Sequence, residues 1–145
     1  RRSSDLIDEN NSSYKDFAVF PLEGIWRKNS GEQFDKNKLK YAIMIKQPDF
    51  ITRDIFDLAI KNVREKKPNK LYDEIIFDNV EVGKAVQILH IGSFDTEPYS
   101  FEKLESFMEK HGLLRKFDYH TEIYLSNKNR TSEENLKTIL RYSVK

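Results

Sequence analysis

The 145 residues carry 25 lysines and arginines against 24 aspartates and glutamates, a formal net charge of +1, so the chain lacks the basic footprint that draws nucleic acid or an anionic membrane. Hydrophobic residues at 38% and aromatics at 12% suffice to bury a core in one domain, while the absence of cysteine excludes disulfides, thiol nucleophiles and thiolate metal sites. No apolar run approaches the roughly 20 residues of a membrane span, and no apolar segment follows Arg1-Arg2-Ser3-Ser4 to make a signal peptide. A cytoplasmic protein with no direct nucleic-acid or membrane partner is expected.

Residues 1–13 are polar and rich in Asn and Ser, and read as a disordered or loop tail ahead of a single domain over 14–145. Phe17 to Trp26 reads as a strand with Pro21 marking an edge or bulge. After the turn signal Asn29-Ser30-Gly31, Leu39 to Ile45 reads as a second strand, with Tyr41, Ile43 and Ile45 on one face and Ala42 and Met44 on the other. A helix is expected from an N-cap at Thr52 to Lys66, with Ile55, Leu58, Ala59 and Val63 as its apolar stripe and Pro68 as its stop. The cations Lys61, Arg64 and Lys66 suit the end of its dipole rather than a nucleic-acid surface.

Glu74 to Val80 and Val82 to Ile91 read as two further strands, and Gly92 to Pro98 as a loop. A second helix is expected from Pro98 to His111, burying Phe101, Leu104, Phe107 and Met108 and stopping at Gly112. Phe117 to Leu125 is a strong strand, Ser126 to Asn135 a polar connection with one helical turn at Ser132-Glu133-Glu134, and Leu136 to Val144 the last strand. The C-terminal half therefore reads strand, helix, strand, strand. The N-terminal part shows only two strands before the connecting helix.

The segment richest in chemistry is Tyr119-His120-Thr121-Glu122-Ile123-Tyr124-Leu125. Strand alternation puts His120, Glu122 and Tyr124 on one side and the mainly apolar Tyr119, Thr121, Ile123 and Leu125 on the other, which should pack on a helix. A carboxylate holds a cation or acts as a base, a phenol donates a proton, and an imidazole does either. The plainer alternative is the solvent face of an antiparallel sheet. Trp26 beside Gly24 suits an aromatic wall for flat or cationic ligands, although the residues alone favour the plainer reading of a core anchor. Glu23 and Met44 lie on or next to the same strand, and His90 ends the apolar run Ile88-Leu89-His90 either as a ligand contact or as a hydrogen-bonded structural group. Three histidines without zinc spacing, five scattered glycines and no nucleophile elbow offer no support for a metal, a cofactor or a serine triad.

Taken in order, Pro21-Leu22-Glu23-Gly24-Ile25-Trp26, Met44-Ile45-Lys46-Gln47-Pro48-Asp49-Phe50, Val86-Gln87-Ile88-Leu89-His90-Ile91-Gly92, Asp95-Thr96-Glu97-Pro98, His120-Thr121-Glu122-Ile123-Tyr124-Leu125-Ser126 and Leu136-Lys137-Thr138-Ile139-Leu140-Arg141 resemble the stand-alone members of the GyrI-like small-molecule-binding family. The resemblance implies an α+β fold of two pseudo-symmetric strand–helix–strand–strand modules with antiparallel sheets and a ligand cleft between them. On that pattern the first module lacks its opening strand and helix. It further implies small-molecule binding for xenobiotic sensing, sequestration or detoxification, association with a regulator or with itself, and in some relatives hydrolysis of cyclopropane-containing DNA-alkylating compounds. By position, Glu122 matches the family's acidic cleft residue, Tyr124 the tyrosine after it and Trp26 the aromatic after Leu-Glu-Gly. Glu122 and Tyr124 are then the candidate catalytic pair, with Trp26, Glu23, Met44, His90 and His120 as candidate ligand contacts. Arg27 stands where relatives often have a second aromatic, which implies a more open or polar wall, and Thr121 replaces a second histidine.

Overall fold

Strands form where apolar and polar residues alternate, and helices where apolar residues recur three and four apart. The structure, a computed structural model, describes residues 18–27 and 40–145. The periodic segments become β1 (Leu22–Arg27), β2 (Lys40–Ile45), α1 (Arg53–Lys66), β3 (Ala85–Ile91), α2 (Glu97–Lys110), β4 (Tyr119–Tyr124) and β5 (Lys137–Ser143). All pairings are antiparallel in the order β2-β1-β4-β5-β3. The fold is α+β, and its C-terminal half runs strand, helix, strand, strand as expected. The N-terminal tail, Phe17 and the Asn29-Ser30-Gly31 turn lie outside the described residues.

The chain divides into two compact units, Arg1–Phe20 with Lys46–Val80, and Pro21–Ile45 with Glu81–Lys145. In the first, Thr52 caps α1 by accepting a hydrogen bond from the Ile55 amide at 3.3 Å. Arg64 and Lys66 occupy its last turn, and the Lys67 amide closes on Val63 O at 2.8 Å just before Pro68. The strand expected over Glu74 to Val80 is absent. Lys70–Glu74 is a 3-10 turn capped by Asn69, and Ile76 and Val80 beyond it are exposed. Alternation alone does not make a strand without an edge to pair with. Here the Phe77 carbonyl instead accepts from Arg53 at 2.5 Å, whose guanidinium lies over the stacked rings of Phe56 and Phe77.

The second unit holds the sheet. β1 begins at Leu22 rather than Phe17, directly after Pro21, which has no amide to give a ladder. β3 begins at Ala85 rather than Val82 because Gly83, at φ 62°, turns the chain out of the extended region. The expected helical turn near Ser132 is a 3-10 turn over Glu133–Asn135. α2 contributes Leu104 and Met108 to a core with Tyr142 and Val144, against which Val86, Ile88, Phe101 and Leu113 pack. β5 alternates strictly, with Thr138, Leu140 and Tyr142 buried beneath.

α2 lies on the side of the sheet opposite Tyr119, Thr121 and Ile123: it packs over Tyr142, Val86 and Ile88, and Glu122 shares that side through its pairing with Leu140. One expectation about packing is corrected. Phe107, expected inside, is half exposed with its ring against His111, since it falls just off the stripe that Phe101, Leu104 and Met108 define.

Candidate functional site

Strand register decides which of the candidate residues share a surface, because paired residues project to the same side. One row runs Ile43, Gly24, Glu122, Leu140, Ile88 across all five strands, and the next runs Ile45, Leu22, Tyr124, Thr138, His90. Tyr41, Trp26 and His120 form a third on the same face. Glu122, Tyr124, Trp26 and His120 are thus brought together. Met44 and Glu23 are not: their row continues through Ile123, Ile139 and Leu89 on the opposite face. Arg27 also leaves the Trp26 face, pairing with Tyr119, lying over its ring and forming an exposed ion pair with Asp118 at 3.2 Å.

Glu122 sits at the centre with only 6% of its surface exposed. Burial works to raise its pKa, but polar contacts with His120, Glu97 and Tyr124 outweigh that penalty and hold the carboxyl below its ordinary value. His120 Nε2 lies 3.4 Å from Glu122 Oε2, close enough for attraction yet long for a hydrogen bond, and it has no other partner. The imidazole edge meets Phe101 at 4.8 Å and Tyr142 at 6.2 Å between centroids. Tyr142 is pushed up to about 12, chiefly by burial, and stays neutral beside it.

Tyr124 is raised well above the ordinary phenol, first by burial and then by the charge on Glu122. Its hydroxyl accepts a hydrogen bond from Trp26 Nε1 at 2.8 Å. The bond crosses directly above Gly24. A Cβ there would meet Trp26 Nε1 at 2.6 Å and the Tyr124 hydroxyl at 2.9 Å, so only glycine leaves room for it. Tyr41 stacks on Trp26 at 5.2 Å, and Phe94 meets Tyr124 edge-on at 6.0 Å, completing an aromatic surround.

Glu97, Tyr41 and Phe94 were not among the candidates from sequence. Glu97 is the first residue of α2, 9% exposed, and in polar contact with Glu122. The contact is one of those that hold Glu122 below its ordinary value. A signal for it exists: Glu97, Phe101, Leu104 and Met108 are spaced four, three and four, so an acid occupies the first position of the buried stripe.

His90 is on the site's face but two strands away from Glu122. It is 4% exposed and bonded at both nitrogens, Nδ1 to the Ser100 hydroxyl at 2.7 Å and Nε2 to Ser93 O at 2.9 Å, with Thr96 Oγ1 at 3.1 Å. Donation to a carbonyl puts the proton on Nε2, leaving Nδ1 to accept from Ser100. The ring fastens the turn that leads into α2. Among the described residues no cluster of three or more His, Asp or Glu is placed to hold a metal, and no helix is long and apolar enough to cross a membrane.

No curated protein matches the chain. Among solved structures it is similar to an uncharacterised conserved protein from Listeria innocua, at 32% identity and TM-score 0.90, the match covering 99% of this chain and 72% of that one. Two further structures, each described as a hydrolase from Listeria innocua, match over the same shares at 31% and 32% identity with TM-scores of 0.86 and 0.85. The family model of the GyrI-like small molecule binding domain matches residues 4–145, and the chain belongs to that family.

Proposed function

We propose that this domain, over residues 14–145, binds small cationic or electrophilic aromatic molecules against the Glu122 cluster, as a cytoplasmic xenobiotic sensor, sequestering protein or detoxifying protein. The observation that carries the reading is a carboxyl group almost fully buried yet held ionised, in polar contact with a Tyr124 hydroxyl that is bonded to Trp26, with Tyr41 stacked on Trp26 and Phe94 edge-on to Tyr124. A buried charge without a full counter-charge is costly, and a cation that enters relieves it. Aromatic faces add attraction for the same ligands. Titration calorimetry with aromatic quaternary ammonium compounds tests this. Glu122→Gln is expected to weaken binding at least tenfold with the fold intact, and unchanged affinity would overturn the assignment of Glu122.

The second reading is hydrolysis of cyclopropane-containing alkylating compounds, favoured by the Glu122 carboxylate in polar contact with the Tyr124 hydroxyl and by the two hydrolase-described relatives. Glu122 would take a proton from water as its oxygen bonds to a ring carbon. The ring C–C bond breaks, its electrons pass to a conjugated carbonyl, and Tyr124 supplies the proton to that oxygen. A mass-spectrometric time course distinguishes the two. Ring-opened product in excess of protein, lost in Glu122→Gln, establishes turnover, whereas intact compound retained on the protein leaves the binding reading alone. Association with a regulator or a second copy would follow from a sensing role.

A further inference from the structure

The indole of Trp26 invites the role of a flat wall, but its geometry is that of a donor. Nε1–H can only donate, and it donates to the Tyr124 hydroxyl at 2.8 Å. This fills an acceptor position on the phenol oxygen and leaves the phenol's own proton to be spent elsewhere. The acceptor in polar contact with that hydroxyl is the Glu122 carboxylate. The Gly24 backbone lies beneath the Trp26–Tyr124 bond, and any side chain there would force the pair apart. Tyr41 stacked on one partner and Phe94 edge-on to the other keep both rings from swinging away.

We infer that Trp26 is a positioning residue: across Gly24 it orients the Tyr124 hydroxyl so that its proton points at Glu122 and stabilises the ionised carboxylate. The inference deepens the proposed function at the same site but does not need a ligand for its test. Tyr124 then acts in the resting protein as a fixed dipole toward Glu122. Glu97 on α2 and His120 on β4 are the other titratable groups facing that carboxylate, and Tyr142 on β5 borders His120. A ligand group reaching Glu122 displaces part of an organised polar chain rather than a solvated acid. Chains of hydrogen bonds polarise one another, so losing the first weakens the second.

The test is nuclear magnetic resonance of the full chain. Trp26 is the only tryptophan, so one indole N–H signal reports the bond, while carbon-13 in the glutamate carboxyls, with Glu122→Gln identifying the resonance, reports its titration. In the wild type the indole proton is expected to exchange slowly and to shift with the same midpoint as Glu122. Tyr124→Phe should abolish both the protection and the pH-dependent shift. Trp26→Phe keeps a ring but removes the donor, and Gly24→Ala keeps both rings but separates them. Each should raise the Glu122 midpoint by roughly half a pH unit with circular dichroism unchanged. An unmoved midpoint in both variants would overturn the inference, leaving Trp26 as a wall. Failure of every ligand to bind would overturn the proposed function while leaving these shifts in place.

Discussion

His90 and His120 are imidazoles on one face of one sheet, but their partners give them opposite uses. His90 spends both nitrogens on Ser100, Ser93 and Thr96, whereas His120 keeps Nε2 near Glu122 without a formed hydrogen bond. His90→Ala should therefore cost about 2 to 4 kcal/mol in urea unfolding, from several lost bonds and buried groups left without partners. A cost within 0.5 kcal/mol, the range of a surface change, would show that those bonds are not made. Glu122 supplies the pH counterpart. Its folded pKa lies below the ordinary 4.5, so the stability its ionisation contributes is fully present above that value and is lost as pH falls through the folded one. Unfolding of wild type and Glu122→Gln, compared from pH 7 downward, should show the gap shift against the wild type across that window. A constant gap would contradict the lowered pKa.

At the scale of elements, two helices begin with a threonine and only one is capped by it. Thr52 Oγ1 accepts from the Ile55 amide, while Thr96 makes no side-chain cap bond and turns its hydroxyl to Ser93 O and His90. Thr52→Ala should cost about 1 kcal/mol, read as a shift in the urea midpoint. Along α2, Leu104 is 3% exposed and Phe107 50%. Leu104→Ala should cost about 2 to 5 kcal/mol and Phe107→Ala well under half as much, and equal costs would reverse the assignment of faces. The α1 cap, the β4 alternation and the strand–helix–strand–strand order were legible in the sequence because each depends on neighbours in the chain. The failures depend on distant partners. The Glu74 to Val80 segment had a strand's composition but no edge to join. Met44 and Glu23 were grouped with Trp26 by proximity, and register sends them to the other face. Pro98 signals the helix start and leaves Glu97 to the preceding loop, although its four-three-four spacing to Met108 marks it as inward-facing.

For the whole molecule, the same register that gathers the site also grades its rigidity. β4 and β5 lie inside the sheet order, with a strand on each side, and Leu140 and Thr138 are essentially without exposure. Among the described residues β2 ends the order, with Tyr41 at 62% and Ile43 at 63% exposed, and residues 75–80 carry no regular structure. Local opening free energy follows burial and hydrogen bonding, so amide exchange should be slowest in β4 and β5, faster in β2 and fastest over 75–80. Glu122 and Tyr124 then stand on the rigid side, where a polar chain needs fixed distances, while Tyr41 rides on an edge strand that yields. On the proposed function, a ligand would meet a fixed carboxylate together with a Tyr41 ring whose own strand opens more readily. Exchange measured with and without a bound aromatic cation should slow chiefly in β2 and scarcely change in β4. If protection rises equally in both strands, the wall is as rigid as the floor, and selectivity would rest on shape rather than on charge with a movable ring.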